Sequence, residues 1–171
     1  AKAVADVVKE CGGKPFLTDC NTLYPGSRKN ALEHLQCAWE NGFTAMTVGC
    51  PILIADGLKG TDDIEVPVEG GEYIESAKIG RAIMDADIFI SLSHFKGHET
   101  TGFGGAIKNI GMGCGSRAGK KEQHTNGQPT IHEELCRGCR RCMRECANNG
   151  LVFDEETKKM HIDGANCVGC G

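Results

Sequence analysis

The spacing Cys136-x2-Cys139-x2-Cys142-x3-Cys146, followed by Cys167-x2-Cys170, constrains this chain more than any other feature. Three thiols at intervals of three fit one tight loop that can reach three irons of a cube, and Gly138 inside it supplies permissive dihedrals. The fourth Cys of such a run, in two-cluster ferredoxins, ligates the other cluster. A second run begins 31 residues after the first, at Cys167. The expected ligands are therefore Cys136, Cys139 and Cys142 for one [4Fe–4S] cluster, and Cys146, Cys167 and Cys170 for another. Neither set has four protein thiolates in these 171 residues, so the second run is expected to be cut short here and two clusters are expected in a longer protein. A four-cysteine zinc ribbon uses two CxxC knuckles and does not need Cys142 and Cys146 at this phase, which favours iron–sulfur over zinc. Between the runs, Leu151-Val152-Phe153 and Lys159-Met160-His161-Ile162 flank Asp154-Glu155-Glu156-Thr157, a hairpin pattern. Arg137, Arg140, Arg141 and Arg144 surround the first run, either offsetting cluster charge or forming a solvated helix face.

The remaining cysteine usage agrees. Eleven cysteines is an odd number, whereas a secreted disulfide framework is normally even. Six fall in the last 36 residues, which points to a reducing, oxygen-poor cytoplasm. A net charge of −4 with pI near 5.9 excludes a nucleic-acid binder that works by bulk electrostatics. No apolar stretch approaches the roughly 20 residues of a membrane helix, and residues 1–15 carry no secretory h-region. The first residues read as an amphipathic helix with Val4, Val7, Val8 and Cys11 on one face, closed by Gly12-Gly13; more sequence is expected upstream.

Residues 15–19 read as a short buried strand. Ser27 is the expected N-cap of a helix carrying Ala31, Leu32, Leu35, Ala38 and Trp39 at helical spacing, and Asn41-Gly42 is its C-cap signal. Residues 44–48 read as a second strand, 50–63 as loop, 64–68 as a strand, 74–86 as a helix through Ile79 and Ile83, and 87–92 as a central strand. This order predicts an α/β class: a mostly parallel sheet with flanking helices over 1–126, plus a small ferredoxin-like α+β module over 127–171, joined by a linker at Gly127-Gln128-Pro129.

In such sheets function gathers at the carboxyl ends of the strands. Three loops leave those ends: Asp19-Cys20-Asn21-Thr22, Cys50-Pro51, and His94-Phe95-Lys96-Gly97-His98. Asp19, Asn21, Thr22, His94 and Lys96 are the candidate cofactor- or ligand-binding residues. Residues 97–119 hold eight glycines and lead into Lys108, Arg117, Lys120 and Lys121. This cationic segment is either an anion cradle or a glycine loop packed tightly on the sheet. Cys11 and Cys37 are expected in the core; Cys20, Cys50 and Cys114 lie in the site loops.

TDCNTLYPGSRKNALEHL, HFKGHETTGFGGAIKNIGMGCGSRAGKKEQH and the cysteine run, in that order, resemble an uncharacterised prokaryotic family of iron–sulfur centre proteins. Its members carry a domain of unknown function, number 362, and then a two-cluster ferredoxin module. The resemblance implies an α/β domain and cluster binding, and supplies no substrate. His98-x9-Lys108-x15-His124, with Gly-Phe-Gly-Gly between the first two, is similar to a pattern in the nickel-pincer lactate racemases. That similarity implies Lys108 as a cofactor attachment point, His124 as a nickel ligand and His98 as an acid/base. Asn109 and the glycine run from Gly111 stand where the racemases have a Pro-Gly segment.

Three functions follow as expectations. The first is electron transfer with an unknown redox partner, the α/β domain holding a small anionic ligand or metal. The second is a metal-dependent enzyme at His98, Lys108 and His124. The third is a non-catalytic cluster carrier.

Overall fold

The computed structural model describes residues 1–98, 101–124, 129–167 and 169. It divides into two compact units, one of residues 1–22 and 26–120, the other of residues 23–25 and 121–171. The boundary expected between residues 126 and 127, and most of its linker, lie outside the described residues.

The first unit begins with α1 (Lys2–Glu10). Ala5 is its buried contact, packing with Val48 and Cys50 and with the half-buried Leu17 and Ile52. The expected valine face is less buried than the spacing implied, with Val7 56% exposed. Cys11 is exposed rather than core, because it is the residue on which the helix ends. β1 (Leu17–Asp19) runs parallel to β2 (Ile52–Ile54), Leu17 opposite Ile52 and Asp19 opposite Ile54. Between them stands α2 (Ala31–Glu40). Its N-cap is Asn30, whose side chain accepts from the Glu33 N–H at 3.1 Å. The cap is not Ser27, which lies too early to reach that amide. Asn41 closes the helix as expected.

Residues 44–48 are not a strand. Thr44 and Thr47 cap each other's backbone N–H groups, and Gly49 closes the turn in the left-handed conformation at φ 76°, so the segment is a single helical turn, α3 (Ala45–Val48). The strand is β2, inside the stretch expected to be loop. β3 (Asp63–Pro67) pairs antiparallel with β4 (Ser76–Gly80). The expected helix over 74–86 is thus split, strand over Ser76–Gly80 and helix only in α4 (Arg81–Met84). Ile79 faces Ile64 across the ladder; cross-strand pairing overrides the Ile79/Ile83 spacing. Residues 87–92 carry no strand: Ile88 is 80% exposed, and Phe89, Ile90 and Leu92 are also exposed. A strand exists through its ladder, and no described residues pair with this apolar run.

β5 (Lys96–His98) and β6 (Gly102–Gly104) form a second hairpin. α5 (Ala106–Cys114) follows, then α6 (Arg117–His124), within which the division into units falls. In the second unit, α7 (Arg141–Glu145) precedes the antiparallel hairpin β7 (Leu151–Phe153) and β8 (Met160–Ile162). The described residues therefore form a mixed helix-and-strand fold with four two-stranded sheets, one parallel and three antiparallel. The mostly parallel sheet reduces to the β1–β2 pair. Among the described residues no helix is long and apolar enough to cross a membrane.

Candidate functional site

Two regions concentrate chemistry. In the second unit the 136–139 loop folds onto the β7–β8 hairpin. Gly138 has φ +65°, and a Cβ there would stand 2.5 Å from the Lys158 carbonyl oxygen, so only glycine lets the loop come this close. The Lys159 Nζ donates to the Cys136 carbonyl at 2.7 Å. Backbone N–H groups of Gly138, and then of Met160, hold the Cys136 thiol below its usual range. Cys139 and Cys142 are exposed, Cys142 within α7 and Cys146 just after it. The Gly150 N–H donates to Cys146 Sγ at 3.1 Å. A Cβ on the same Gly150 would lie 2.8 Å from Cys167 Cα, so Cys146 and buried Cys167 both lie against this glycine. Cys170 lies outside the described residues. Arg140 stacks on Phe153, its guanidinium carbon 3.7 Å from the ring centroid, and pairs with Glu155 at 2.9 Å. Among the described residues no three His, Cys, Asp or Glu side chains converge as a metal-binding group.

The first unit holds a buried polar cluster at the carboxyl ends of β1 and β2. Asn21 and Asp56 are wholly buried, and Asp56 Oδ1 accepts both the Asn21 backbone N–H and its Nδ2–H, each at 2.9 Å. Nδ2 also donates to the Gly57 carbonyl at 2.9 Å. Cys20 donates its thiol to the Cys114 carbonyl at 3.3 Å. Burial, reinforced by the Asp56 carboxylate, pushes the Cys20 thiol up to about 12. His34, 5% exposed, projects from α2. Burial drives it down to about 4, so it stays neutral at pH 7 although Asp19 Oδ2 lies 3.9 Å from Nε2. Lys120 is buried, donates to the Gly115 carbonyl at 2.6 Å and is lowered by burial against the pull of Cys20, Asp19 and Asp56. Burial raises Asp56 and Asp19. About half of the Asp19 side chain is exposed, so solvent screens its charge.

Asp19 and Asn21 thus share one site, and Thr22 follows with its N–H on the Arg28 carbonyl at 2.8 Å. The sequence does not single out His34 and Asp56, and it offers Lys120 only as one cation of a candidate anion cradle. The available signals were a polar residue within the apolar stripe of α2 and an Asp-Gly directly after an apolar strand. His94 and Lys96 are exposed; the His94 carbonyl accepts from Asn109 Nδ2 at 3.4 Å. Lys96 stands opposite Gly104, along which the Lys108 stem runs, a Cβ on Gly104 lying 3.2 Å from Lys108 Cδ. His98 sits at the other end of that hairpin, two residues or about 7 Å along the strand, and its Nδ1 accepts from the Thr101 N–H at 3.3 Å. His124 belongs to the second unit, where its Nε2 lies 3.2 Å from the Tyr24 hydroxyl.

Comparison with known proteins gives a family but no activity. Thylakoid-associated protein sll1697 of Synechocystis sp. is 29% identical over 121 residues, covering 66% of this chain. The match spans 30% of that relative's length. No solved structure matches the chain. The family model described as domain of unknown function (DUF362) matches residues 1–168, and on that extent the chain belongs to the DUF362 family.

Proposed function

We propose that this chain binds iron–sulfur clusters of the [4Fe–4S] type and passes electrons through a ferredoxin-like second unit. The observation that carries the reading is that backbone N–H groups are turned onto cysteine sulfurs within a ferredoxin spacing: Gly138 and Met160 at Cys136, Gly150 at Cys146. Such donors favour the thiolate, the ligating form. Cys136, Cys139 and Cys142 would hold one cluster; Cys146, Cys167 and Cys170 a second. A bound cluster supplies reversible one-electron storage at a potential tuned by hydrogen bonds to its sulfurs and by solvent exposure. The chain's own residues fix the loop, through Gly138 and the Lys159 bond to the Cys136 carbonyl, and keep Cys139 and Cys142 at the surface.

Anaerobic expression with iron and sulfide, followed by metal analysis and EPR, tests this. Cys139→Ser should remove the iron of one cluster and Cys146→Ser that of the other, leaving different residual spectra. Zinc in place of iron under iron-replete conditions, or iron unmoved by both substitutions, sinks the reading.

In the first unit, Lys96 and Lys108 at one end of the β5–β6 hairpin favour a small anionic ligand there. A nickel-dependent enzyme is the alternative; stoichiometric nickel beside the iron would select it.

A further inference from the structure

The cysteine run carries a cationic surface that the second unit does not neutralise. Residues 136–146 hold four arginines and one acid, Glu145, within a chain of net charge −4. Arg137, Arg140, Arg141 and Arg144 are all exposed. Arg140 is tied down, lying over the Phe153 ring and pairing with Glu155. Glu155 is shared with Lys158 at 3.0 Å. Among the described residues no ion pair holds Arg137, Arg141 or Arg144. The 136–139 loop and α7 both rest on the β7–β8 hairpin, the loop through Lys159 on the Cys136 carbonyl and the helix along β7. Arg141 and Arg144, three residues apart on α7, are neighbours on its surface, with Cβ atoms about 5–6 Å apart. Arg137 directly follows Cys136, Arg141 directly precedes Cys142, and Cys139 and Cys142 are exposed among them. Leu135 and Met143 add apolar side chains that are 73% and 45% exposed. The acids stand at the borders, Glu133 and Glu134 before the run and Glu145 at the end of α7.

We infer that this surface docks an acidic electron-carrier protein, with Arg137, Arg141 and Arg144 meeting carboxylates of the partner and Leu135 and Met143 covered by it. The inference deepens the electron-transfer reading and rests on it for the partner's being an electron carrier. Arg and Met are enriched in protein interfaces, whereas Lys and Glu are depleted; residues 135–146 contain no Lys. A guanidinium offers a planar fork that takes a carboxylate at two points. Exposed pairs of this kind add little to the stability of their own chain. Like charges gathered around one spot do more between molecules, because they steer an oppositely charged partner and fix its orientation. A partner seated here faces Cys139 and Cys142, the exposed thiols of the run. A nucleic acid fits less well, since a chain of net charge −4 repels a polyanion at long range. The rival role for the arginines is to offset the charge of the thiolates beside them, an effect confined to the unit itself.

Calorimetry on the full chain, loaded anaerobically with iron and sulfide, decides between the two roles. The probes are a flavodoxin, an acidic one-electron carrier, and cytochrome c, a basic one. Flavodoxin should bind, and its affinity should fall at least about 10-fold as ionic strength rises from about 0.02 M to about 0.3 M. Cytochrome c should bind more weakly at low salt. Arg141→Glu combined with Arg144→Glu should weaken flavodoxin binding about 30-fold and leave the iron content and EPR signals unchanged. Lys14→Glu combined with Lys29→Glu, at exposed positions of the first unit, alters net charge equally and should weaken binding less than about 3-fold. If the arginine reversal does not fold, Arg141→Gln combined with Arg144→Gln carries the test with a smaller loss of the same sign. Metal analysis of the same samples tests the cluster reading on its own, because flavodoxin binding is measured whatever metal the chain holds. The inference is overturned by no flavodoxin binding at low salt, by tighter binding of cytochrome c or of a single-stranded oligonucleotide, by equal effects of the two double reversals, or by loss of iron in the arginine variant.

Discussion

The two units handle the same side chain in opposite ways. In the first, Cys20 and Cys114 are buried, and burial drives both thiols upward, Cys20 to about 12. In the second, Cys139 and Cys142 are exposed, while amide N–H groups hold the Cys136 thiol down. Thiolate is both the nucleophile and the metal ligand. At Cys20 and Cys114 the first unit therefore stores protonated sulfur as packing, whereas the second leaves Cys139 and Cys142 open to solvent and turns N–H groups onto Cys136, which favours its thiolate. Cysteine count alone does not separate these fates; the direction of nearby N–H groups and access to water do.

Alkylation of the metal-free chain at pH 8 gives the largest expected contrast. A thiol near 12 is ionised at about one part in 10⁴ at that pH. Cys139 and Cys142 should be modified at least about 10³-fold faster than Cys20, as read by peptide mass mapping. Comparable rates would break the comparison.

Acid should also separate the units. His34 is lowered to about 4 from 6.5, so in metal-free protein the unfolded chain takes up a proton below pH 6.5 that the folded chain refuses. The stability this neutral imidazole contributes is complete above pH 6.5 and falls as pH drops toward 4, by on the order of 3 kcal/mol. Asp19 and Asp56 are raised and act oppositely, favouring the folded state as pH falls. Urea unfolding followed at Trp39, the single tryptophan, isolates the histidine: His34→Gln should lose that part of the slope. Asp154, in the turn of the second unit, is held near 2 by the N–H groups of Glu156 and Thr157. Its contribution is present above pH 3.8 and is lost as pH falls through 2, so hairpin signals in NMR should outlast those around His34. Simultaneous loss would remove the distinction.

The smallest effect concerns the arginines around the first run. Arg140 is held by the Phe153 face and an exposed pair with Glu155. Arg140→Ala should cost the β7–β8 hairpin about 1 kcal/mol in amide-exchange protection and leave the iron content unchanged. A fall in iron with unchanged protection would make Arg140 a cluster residue instead of a pin for the hairpin.

By itself the sequence determined what depends on near neighbours: helix α2 from its apolar spacing, the hairpin from alternating residues around Asp154-Glu155-Glu156-Thr157, and the cysteine spacing. Each is local, because the interacting groups lie within a few residues. Tertiary structure decided the rest. Residues 44–48 are an exception, a local signal that was overlooked: β-prone Thr and Val there yield to reciprocal Thr44–Thr47 caps and Gly49, which make a helical turn. Ile79 and Ile83 share helical spacing, yet Ile79 goes to a ladder with Ile64. Residues 87–92 are apolar enough for a central strand, but a strand needs a partner that local pattern cannot supply. The buried cluster was legible only in part. Asp19 and Asn21 stood out after a strand, whereas His34, Asp56 and Lys120 lie 15, 37 and 101 residues from Asp19. Only the parallel pairing of β1 with β2 and the return of the chain through α5 to α6 bring those charges into one low-dielectric interior, where burial sets their protonation.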